Sequence, residues 1–318
     1  MENKPCPECH SSPWHRRKFL MTTATMAALP LAARGLAFEP TKKSQAETLV
    51  AEFHATLSDK QAAEICRPFA DALRSKVHAN WHVTKPLIGS DFYSDKQRAI
   101  LEKIIQSVTS KEGMTLLSKQ MDDDDGGMGA YSVGMFGDPK TDQFQWVLTG
   151  RHLTLRADGN SVPKTAFGGG MVYGHGEESS PSANLFYYQT QKVNELFKAL
   201  DEKQSKQALL KAIPAESDIQ IRKGERKGLL VSEMTADQKQ LMQGCLKTIL
   251  APYRQEDGEE AMKLLESGGG LDALRIAFFQ DEDLNKDQVW DNWRIEGPTC
   301  VIHFRGAPHV HAYINIAS

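Results

Sequence analysis

Residues 299–315 read TCVIHFRGAPHVHAYIN. Two runs of β-branched and aromatic residues flank a turn at Gly306-Ala307-Pro308, and this arrangement predicts an antiparallel β-hairpin. Because successive side chains of a strand point to opposite faces, one face of the hairpin is continuously apolar. The residues of that face are Cys300, Ile302, Phe304, Val310, Ala312 and Ile314. We therefore expect a C-terminal hairpin with one face in the core.

The opposite face of this hairpin is rich in histidine. A three-residue loop would pair Arg305 with His309 and His303 with His311, which places all four side chains together. Neutral imidazoles are common ligands of zinc and copper. We therefore predict His303, His309 and His311 as ligands of a zinc or copper ion. The alternative is a polar face on which the histidines bind Arg305, backbone groups or water.

Two further segments can supply a ligand. His152 lies in a strand-like sequence, and His175 lies in a glycine-rich stretch directly before Glu177. We predict both histidines as metal ligands, and we predict that Glu177, as a general base, and Arg305 act on the substrate. The alternatives are a core histidine bound to backbone groups at His152 and a plain loop residue at His175.

The rest of the sequence contains both helical and strand-like patterns. Apolar residues at three- and four-residue spacing predict helices within residues 44–76, 95–120, 184–210, 237–250 and 259–265. Aromatic and β-branched residues between turn signals predict three strands within residues 130–167 and more strands within 290–318. The glycines at 168–170, 174 and 176 predict a long flexible connection. Together these patterns indicate an α+β fold with a mixed, largely antiparallel sheet and several packed helices.

An acidic run from Asp122 to Asp125 is followed by two glycines. Calcium needs several oxygen ligands, but the run lacks the D-x-D-x-D-G spacing of a calcium-binding loop. We therefore predict that these four side chains belong to a solvated loop and bind no ion.

Composition and charge narrow the class of protein. The chain has 318 residues, of which 40% are hydrophobic and 25% charged, and its formal net charge is -3. This composition is typical of a globular protein, and without a basic cluster beyond the N-terminus we do not expect nucleic acid as a partner. No internal repeat and no Pro- or Ser-rich linker divides residues 38–318, so we predict a single domain there.

Residues 1–37 are typical of a twin-arginine (Tat) signal peptide. Arg16 and Arg17 precede an uncharged apolar run, and Gly35-Leu36-Ala37 offers a small-x-small cleavage site. The apolar run is shorter than the roughly 20 residues that span a bilayer, so we expect no stable membrane anchor. The signal implies the Tat export machinery as a partner and a periplasmic or secreted mature protein. Its three cysteines, Cys66, Cys245 and Cys300, are predicted to be buried free thiols.

Five short motifs stand out along the mature chain. They are Gly150-Arg-His-Leu-Thr-Leu155, the glycine stretch after Phe167, Leu200-Asp-Glu-Lys-Gln204, Glu296-Gly-Pro298 and Pro308-His-Val-His311. Together they resemble the bacterial family catalogued as domain of unknown function 3500. The resemblance extends over residues 44–318 and maps the family's motif histidines to His152, His309 and His311. It implies no particular activity.

Three functions fit these features. The first is an exported metal-dependent enzyme that uses the histidine cluster for hydrolysis or for copper redox chemistry, acting on a small-molecule or polymer substrate. The second is a non-catalytic periplasmic metal- or ligand-binding protein. The third is a structural role, in which the histidines only satisfy hydrogen bonds. Tat export favours the first two, because this route carries folded proteins, many of them loaded with a cofactor.

The first testable prediction concerns the signal peptide. We expect the exported protein to begin at Phe38, and we expect replacement of both Arg16 and Arg17 by lysine to abolish export. Cell fractionation followed by N-terminal sequencing measures both outcomes. An exported chain that still begins at Met1, or export of the double-lysine variant, would contradict the assignment.

Overall fold

The computed structural model describes residues 39–177 and 181–318, and these residues belong to one compact unit. The signal peptide expected over residues 1–37 lies outside them. Among the helices that they form, none combines the length and the hydropathy that crossing a bilayer requires.

Side-chain caps fix where several helices begin. In the capping boxes at Ser58, Ser94, Asp201 and Thr235, the cap side chain accepts the backbone N–H of a glutamine three residues later. The side-chain oxygen of that glutamine accepts the backbone N–H of the cap residue. In the longer helices, apolar residues at helical spacing form one side, and this side is buried in the core. The described residues contain eight α-helices: α1 (Gln45–Ala55), α2 (Asp59–Ile65), α3 (Asp95–Val108), α4 (Lys111–Asp125), α5 (Tyr187–Lys198), α6 (Glu202–Ala208), α7 (Ala236–Leu250) and α8 (Gln255–Ser267).

The strands form a single mixed sheet. Within the described residues they are β1 (Cys66–Arg67), β2 (Ser132–Gly137), β3 (Phe144–Gly150), β4 (Leu153–Ala157), β5 (Met171–His175), β6 (Leu209–Leu210), β7 (Leu229–Leu230), β8 (Arg275–Phe279), β9 (Asn292–Gly297), β10 (Cys300–Arg305) and β11 (Val310–Ile316). Their order is β1-β2-β3-β4-β5-β11-β10-β9-β8-β6, with β7 also paired to β8. Only the β1–β2 and β6–β8 pairs are parallel among these strands. The predicted α+β fold, with its largely antiparallel sheet and C-terminal hairpin, is confirmed.

The two faces of the sheet are covered differently. Helices pack on one face, where the apolar side chains of β9, β10 and β11, including the stacked rings of Trp293 and Phe304, enter the main core. Loop segments cover the other face: Trp81 and Val83 pack on β2 and β3, and Ile219 packs near Tyr313 of β11. The histidine-bearing side of the hairpin is therefore the side covered by loops.

The hairpin register differs from the predicted one by two residues. Arg305 pairs with His311, and His303 pairs with Tyr313, so the connection is longer than three residues. The reason is that the turn binds to the end of β9, where the Asn292 side-chain oxygen accepts the N–H groups of Gly306 and Ala307. A shift by two residues keeps the alternation of faces. His303, Arg305 and His311 therefore still share one face, as predicted.

Two local predictions are wrong. The acidic run Asp122 to Asp125 is the last turn of α4, which ends at Gly126 in the left-handed conformation (φ 74°), and is not a loop. Residues 171–175, placed in a flexible connection because of their glycines, form the buried strand β5 instead. Glycine inside a strand often marks a close approach of two backbones. Both errors concern the neighbourhood of the histidines.

The remaining thiols agree with the prediction in two of three positions. Cys245 and Cys300 are buried and free, and burial raises the pKa of each thiol to about 12. Cys66 is free but only partly buried.

Asp291 gives the fold a pH-dependent contribution to stability. Its carboxyl is 3% exposed and accepts the Leu284 N–H at 2.9 Å. Burial, reinforced by the nearby carboxylates of Asp283 and Asp287, raises the pKa of Asp291 to about 7. The folded chain therefore binds this proton more tightly than the unfolded chain, whose aspartates titrate near about 3.9. Protonated Asp291 therefore stabilises the fold. This stabilisation is complete below about pH 3.9 and is lost as the pH rises through 7.

We therefore expect Asp291→Asn, which imitates the protonated carboxyl, to gain stability relative to the unchanged protein as the pH rises. Between about pH 5 and pH 8 the gain in free energy of unfolding should be about 2 kcal/mol, measured by urea unfolding at each pH. Asp237→Asn, at an exposed position in the first turn of α7, is the control for the loss of a carboxylate that is not buried. A pH-independent effect of Asp291→Asn would contradict the expectation.

Candidate metal centre

His152 lies in the tight turn between β3 and β4. Gly150 pairs with Leu153, so only Arg151 and His152 connect the two strands. His152 has a φ of 55°, a left-handed conformation that is uncommon outside glycine, and its N–H donates to the Ala79 carbonyl at 2.6 Å. Unusual backbone of this kind is often retained where a side chain has to be aimed at a functional site.

The turn brings His152 against the C-terminal histidines. Strand β11 lies beside β5, where His311 pairs with Gly174, and β5 in turn pairs with β4. The ring of His152 lies 5.1 Å from the ring of His309 and 4.7 Å from that of His311, measured between centroids. The three residues offer one ligand atom each within 4.8 Å of one another. Among the described residues this group could hold a metal ion.

A carboxylate orients the His152 ring. Its Nδ1 lies 2.8 Å from Oδ2 of Asp124, and the other oxygen of Asp124 accepts the Gly176 N–H at 2.8 Å. Burial opposes ionisation of Asp124, but the hydrogen bonds from His152 and Gln120 outweigh it and hold the pKa of this carboxyl below its usual value. An ionised carboxylate only accepts, so Nδ1–H of His152 donates and Nε2 is left for a ligand.

Glu216 orients the His311 ring in the same way. Its Oε2 lies 2.7 Å from Nδ1 of His311 and also accepts the Tyr313 hydroxyl, while its other oxygen accepts from Arg305. Burial opposes ionisation of Glu216, but the hydrogen bonds from His311 and Tyr313 outweigh it and lower its pKa to about 2. Burial lowers the pKa of His311 to about 4. Near neutral pH, Glu216 is therefore ionised and His311 is neutral.

These protonation states leave a lone pair at the centre of the cluster. A neutral His311 that donates its Nδ1–H to Glu216 has no proton on Nε2. That Nε2 atom lies 3.0 Å from Nε2 of His309, which also lies 3.3 Å from an Arg305 nitrogen. Two imidazole nitrogens at this separation need a proton or a cation between them. One tautomer of His309 supplies that proton from its own Nε2–H, and a metal ion bound by both nitrogens can replace it.

The spacing suits a small divalent ion. Two nitrogens that bind one tetrahedral zinc, each about 2.0–2.1 Å from it, are about 3.3–3.4 Å apart. The His309–His311 distance of 3.0 Å is close to this value, and the 4.8 Å limit for the whole group is somewhat larger. A bound ion would therefore draw the three rings slightly together. His152 is 4% exposed, whereas His309 and His311 are only partly buried, so the group can be reached from solvent.

A cleft lies next to residues that contact His152. It has a volume of about 520 Å³, and its walls include Asp124 and Gly176, which both adjoin His152. Glu177 and Arg151 also line it. Space for a small substrate group is thus available next to the residues that contact His152.

The family model described as protein of unknown function (DUF3500) matches residues 39–315. The chain belongs to the DUF3500 family. This agrees with the resemblance that the short motifs indicated. No curated protein and no solved structure matches the chain.

The other predicted site residues of this DUF3500 chain lie near the three histidines in different settings. His175 ends β5 and lines the cleft, where its Nε2 lies 3.1 Å from Asp123 and its Nδ1 accepts the Leu185 N–H. Arg305 contacts Glu216 and His309. Glu177 lies in the cleft.

His303 has the most enclosed position of the predicted residues. It is fully buried, neither ring nitrogen has a hydrogen-bond partner among the residues that the structure describes, and it does not belong to the three-histidine group. Burial, with the nearby Arg294 guanidinium, lowers the pKa of His303 to about 3, so the ring is neutral.

The sequence did not reveal the two carboxylates that orient the ligands. Asp124 lies in the acidic run, and an acidic residue in the last turn of a helix gives no signal of its own. Glu216 lies in a loop 95 residues before His311. Only the sheet topology brings these segments together, so neither residue has a local pattern that could have identified it.

The close approach of β5 and β11 gives a testable requirement for glycine at position 174. A Cβ added to Gly174 would lie 2.2 Å from the Val310 carbonyl oxygen and 3.2 Å from Cβ of His152. We expect Gly174→Ala to lower the free energy of unfolding by about 1–3 kcal/mol, because one strand has to move. Urea unfolding measures the effect. Gly258→Ala in α8, where no atom lies within 4 Å of the added Cβ, should be neutral or slightly stabilising. Equal effects of the two substitutions would contradict this requirement.

Proposed function

We propose that this protein is an exported, zinc-dependent hydrolytic enzyme whose ion is bound by His152, His309 and His311. One observation carries the proposal: three imidazoles converge, two of them are hydrogen-bonded to carboxylates, and a cleft adjoins the contacts of His152. Histidine ligands in zinc enzymes commonly donate their second ring N–H to a carboxylate in this way.

A group of three protein ligands is typical of a catalytic zinc site and not of a structural one. Structural zinc is usually held by four protein ligands, whereas catalytic zinc keeps a position for water or substrate. Among the described residues the group has three members, and a cleft adjoins it. Zinc bound in this way supplies Lewis acidity and a water that ionises near neutral pH.

Other residues of the site have supporting roles in this proposal. Glu177, in the wall of the cleft, acts as the general base. Arg305 holds Glu216 and thereby keeps His311 oriented. His175 fixes the cleft wall through Asp123 and stays outside the ligand set.

The proposed location rests on the sequence. The twin arginine at residues 16–17 and the small residues before Phe38 support Tat export to the periplasm or beyond. A Tat substrate folds before it crosses the membrane, which fits a site assembled from distant parts of the chain.

The alternative is a non-catalytic metal-binding protein that uses the same histidines, and copper is the alternative ion, since imidazole suits both metals. Metal analysis of protein isolated from its native host identifies the ion. Hydrolysis by the zinc-loaded protein in a panel of ester, amide and phosphoester substrates separates an enzyme from a binding protein.

The central test of the site is metal content. We expect His152→Ala and His309→Ala each to reduce bound zinc from about one ion per chain to a small fraction, because two imidazoles hold zinc weakly. Plasma mass spectrometry of purified protein, together with a competition titration against a chromophoric chelator, measures both stoichiometry and affinity.

His54→Ala is the matched control, because His54 lies on α1 and is not a member of the three-histidine group. Its metal content should equal that of the unchanged protein. Zinc retained by both site variants would overturn the proposal, and so would an unchanged protein that binds zinc no more tightly than the His152→Ala variant.

A further inference from the structure

Arg151 points a positive charge into the cleft beside the proposed metal ligand. It precedes His152 in the β3–β4 turn and lines the cleft. A Cβ built on Gly176 would lie 3.0 Å from Nη2 of Arg151 and 3.4 Å from Cε1 of His152. The guanidinium and the imidazole therefore both lie against Gly176 of the cleft wall, and only a residue without a side chain fits there.

The acidic groups around Arg151 are engaged elsewhere. Asp123 bonds the Lys119 ammonium at 2.8 Å and His175 at 3.1 Å. Asp124 bonds His152, Gln120 and the Gly176 N–H. Within residues 39–177 and 181–318, no side chain forms a hydrogen bond or ion pair with the Arg151 guanidinium. Lys119, in contrast, is neutralised by its partner.

A partly buried arginine in a cleft has a preferred class of ligand. Its planar guanidinium matches the two oxygens of a carboxylate or phosphate and binds them through parallel, charge-assisted hydrogen bonds. Charges are screened less in a partly enclosed cleft than in bulk water. An ion pair between a guanidinium and such an anion is therefore stronger there than on an open surface.

We propose that the site acts on substrates that carry an anionic oxygen group, a carboxylate or a phosphate, and that Arg151 binds this group while the reacting bond lies at the three histidines. The inference rests on the proposed metal-dependent function and adds the substrate class. It also assigns a substrate-binding role to the residue before His152, which the sequence patterns did not single out.

The test uses the full-length mature protein loaded with cobalt(II), whose visible absorption reports changes in coordination. Acetate, malonate, succinate, glutarate and phosphonoacetate are titrated separately. Acetate can reach the ion alone, whereas a longer dianion can reach the ion and Arg151 together. We expect at least one dianion to bind roughly tenfold to a hundredfold more tightly than acetate, as a hydrogen-bonded charged contact provides. The best carboxylate length, and the relative strength of phosphonoacetate, distinguish the two kinds of anionic group.

Two variants distinguish direct contact of the dianion with Arg151 from a general effect of positive charge in the cleft. Arg151→Met should remove the preference for the dianion and leave acetate binding and cobalt content unchanged. Lys119→Met removes the same charge from the same cleft and should weaken binding of the dianion less than about threefold, because Lys119 is exposed and already paired with Asp123. Thermal unfolding checks that both variants are folded.

The outcomes are distinct. A preference for a dianion that Arg151→Met abolishes and Lys119→Met keeps supports the inference. Cobalt binding without such a preference, or equal losses in the two variants, overturns the inference and leaves the metal site intact. Failure of the unchanged protein to bind cobalt or zinc at the histidines overturns the proposed function and the inference with it.

Discussion

The pairing of β11 with β5 is the contact on which the rest of the site depends. Strand β11 is the last strand of the chain, yet it lies in the middle of the sheet, between β5 and β10. It joins the meander β2–β5 to the C-terminal strands β8–β10. The opposition of His311 and Gly174 in this ladder sets how far the C-terminal histidines lie from the β3–β4 turn. A slip of one residue would turn His311 into the core and bring Ala312 to the site.

The protonation pattern follows from burial combined with oriented carboxylates. Three imidazoles this close together would repel one another if they were charged. Burial lowers the pKa of His311, while Glu216 stays ionised because it accepts from His311, Tyr313 and Arg305. Asp124 plays the corresponding part at His152. Glu216 therefore remains charged without protonating His311, whose far nitrogen keeps a lone pair. A metal ligand requires the same arrangement.

The sequence could predict those parts of the fold that depend on local pattern. Alternation of apolar and polar residues in 299–315 indicated the hairpin and its two faces. The predicted register was wrong by two residues, but a shift by two leaves each side chain on its predicted face. The register depended on Asn292, whose side chain binds the turn from a neighbouring strand. The sequence of residues 306–310 alone does not predict this contact with Asn292. Helix ends were clearer where capping boxes mark them, as at Ser94 and Thr235.

For the same reason, the sequence predicted the histidines of the candidate site but not its carboxylates. Its histidines belong to recognisable strand patterns, whereas Asp124 and Glu216 are contributed by a helix end and a loop that reach the site through tertiary structure. Glycine was misleading at residues 174–176, because the sequence cannot distinguish a glycine that allows flexibility from one that allows close packing. In the structure Gly174 permits the approach of the Val310 carbonyl and Gly176 that of Arg151. A side chain at either position would occupy space that the site uses.

A site made from four separate segments forms only when the whole domain is folded. The β3–β4 turn, the end of α4, the loop at Glu216 and strand β11 each contribute one part, and no two adjacent parts make a metal site alone. An ion bound here would join both halves of the sheet and stabilise the folded chain by mass action, since the unfolded chain cannot bind it with comparable affinity. If the protein is exported in the folded state, as we propose from the twin arginine, such a site is complete before export, and the choice of metal is then made inside the cell.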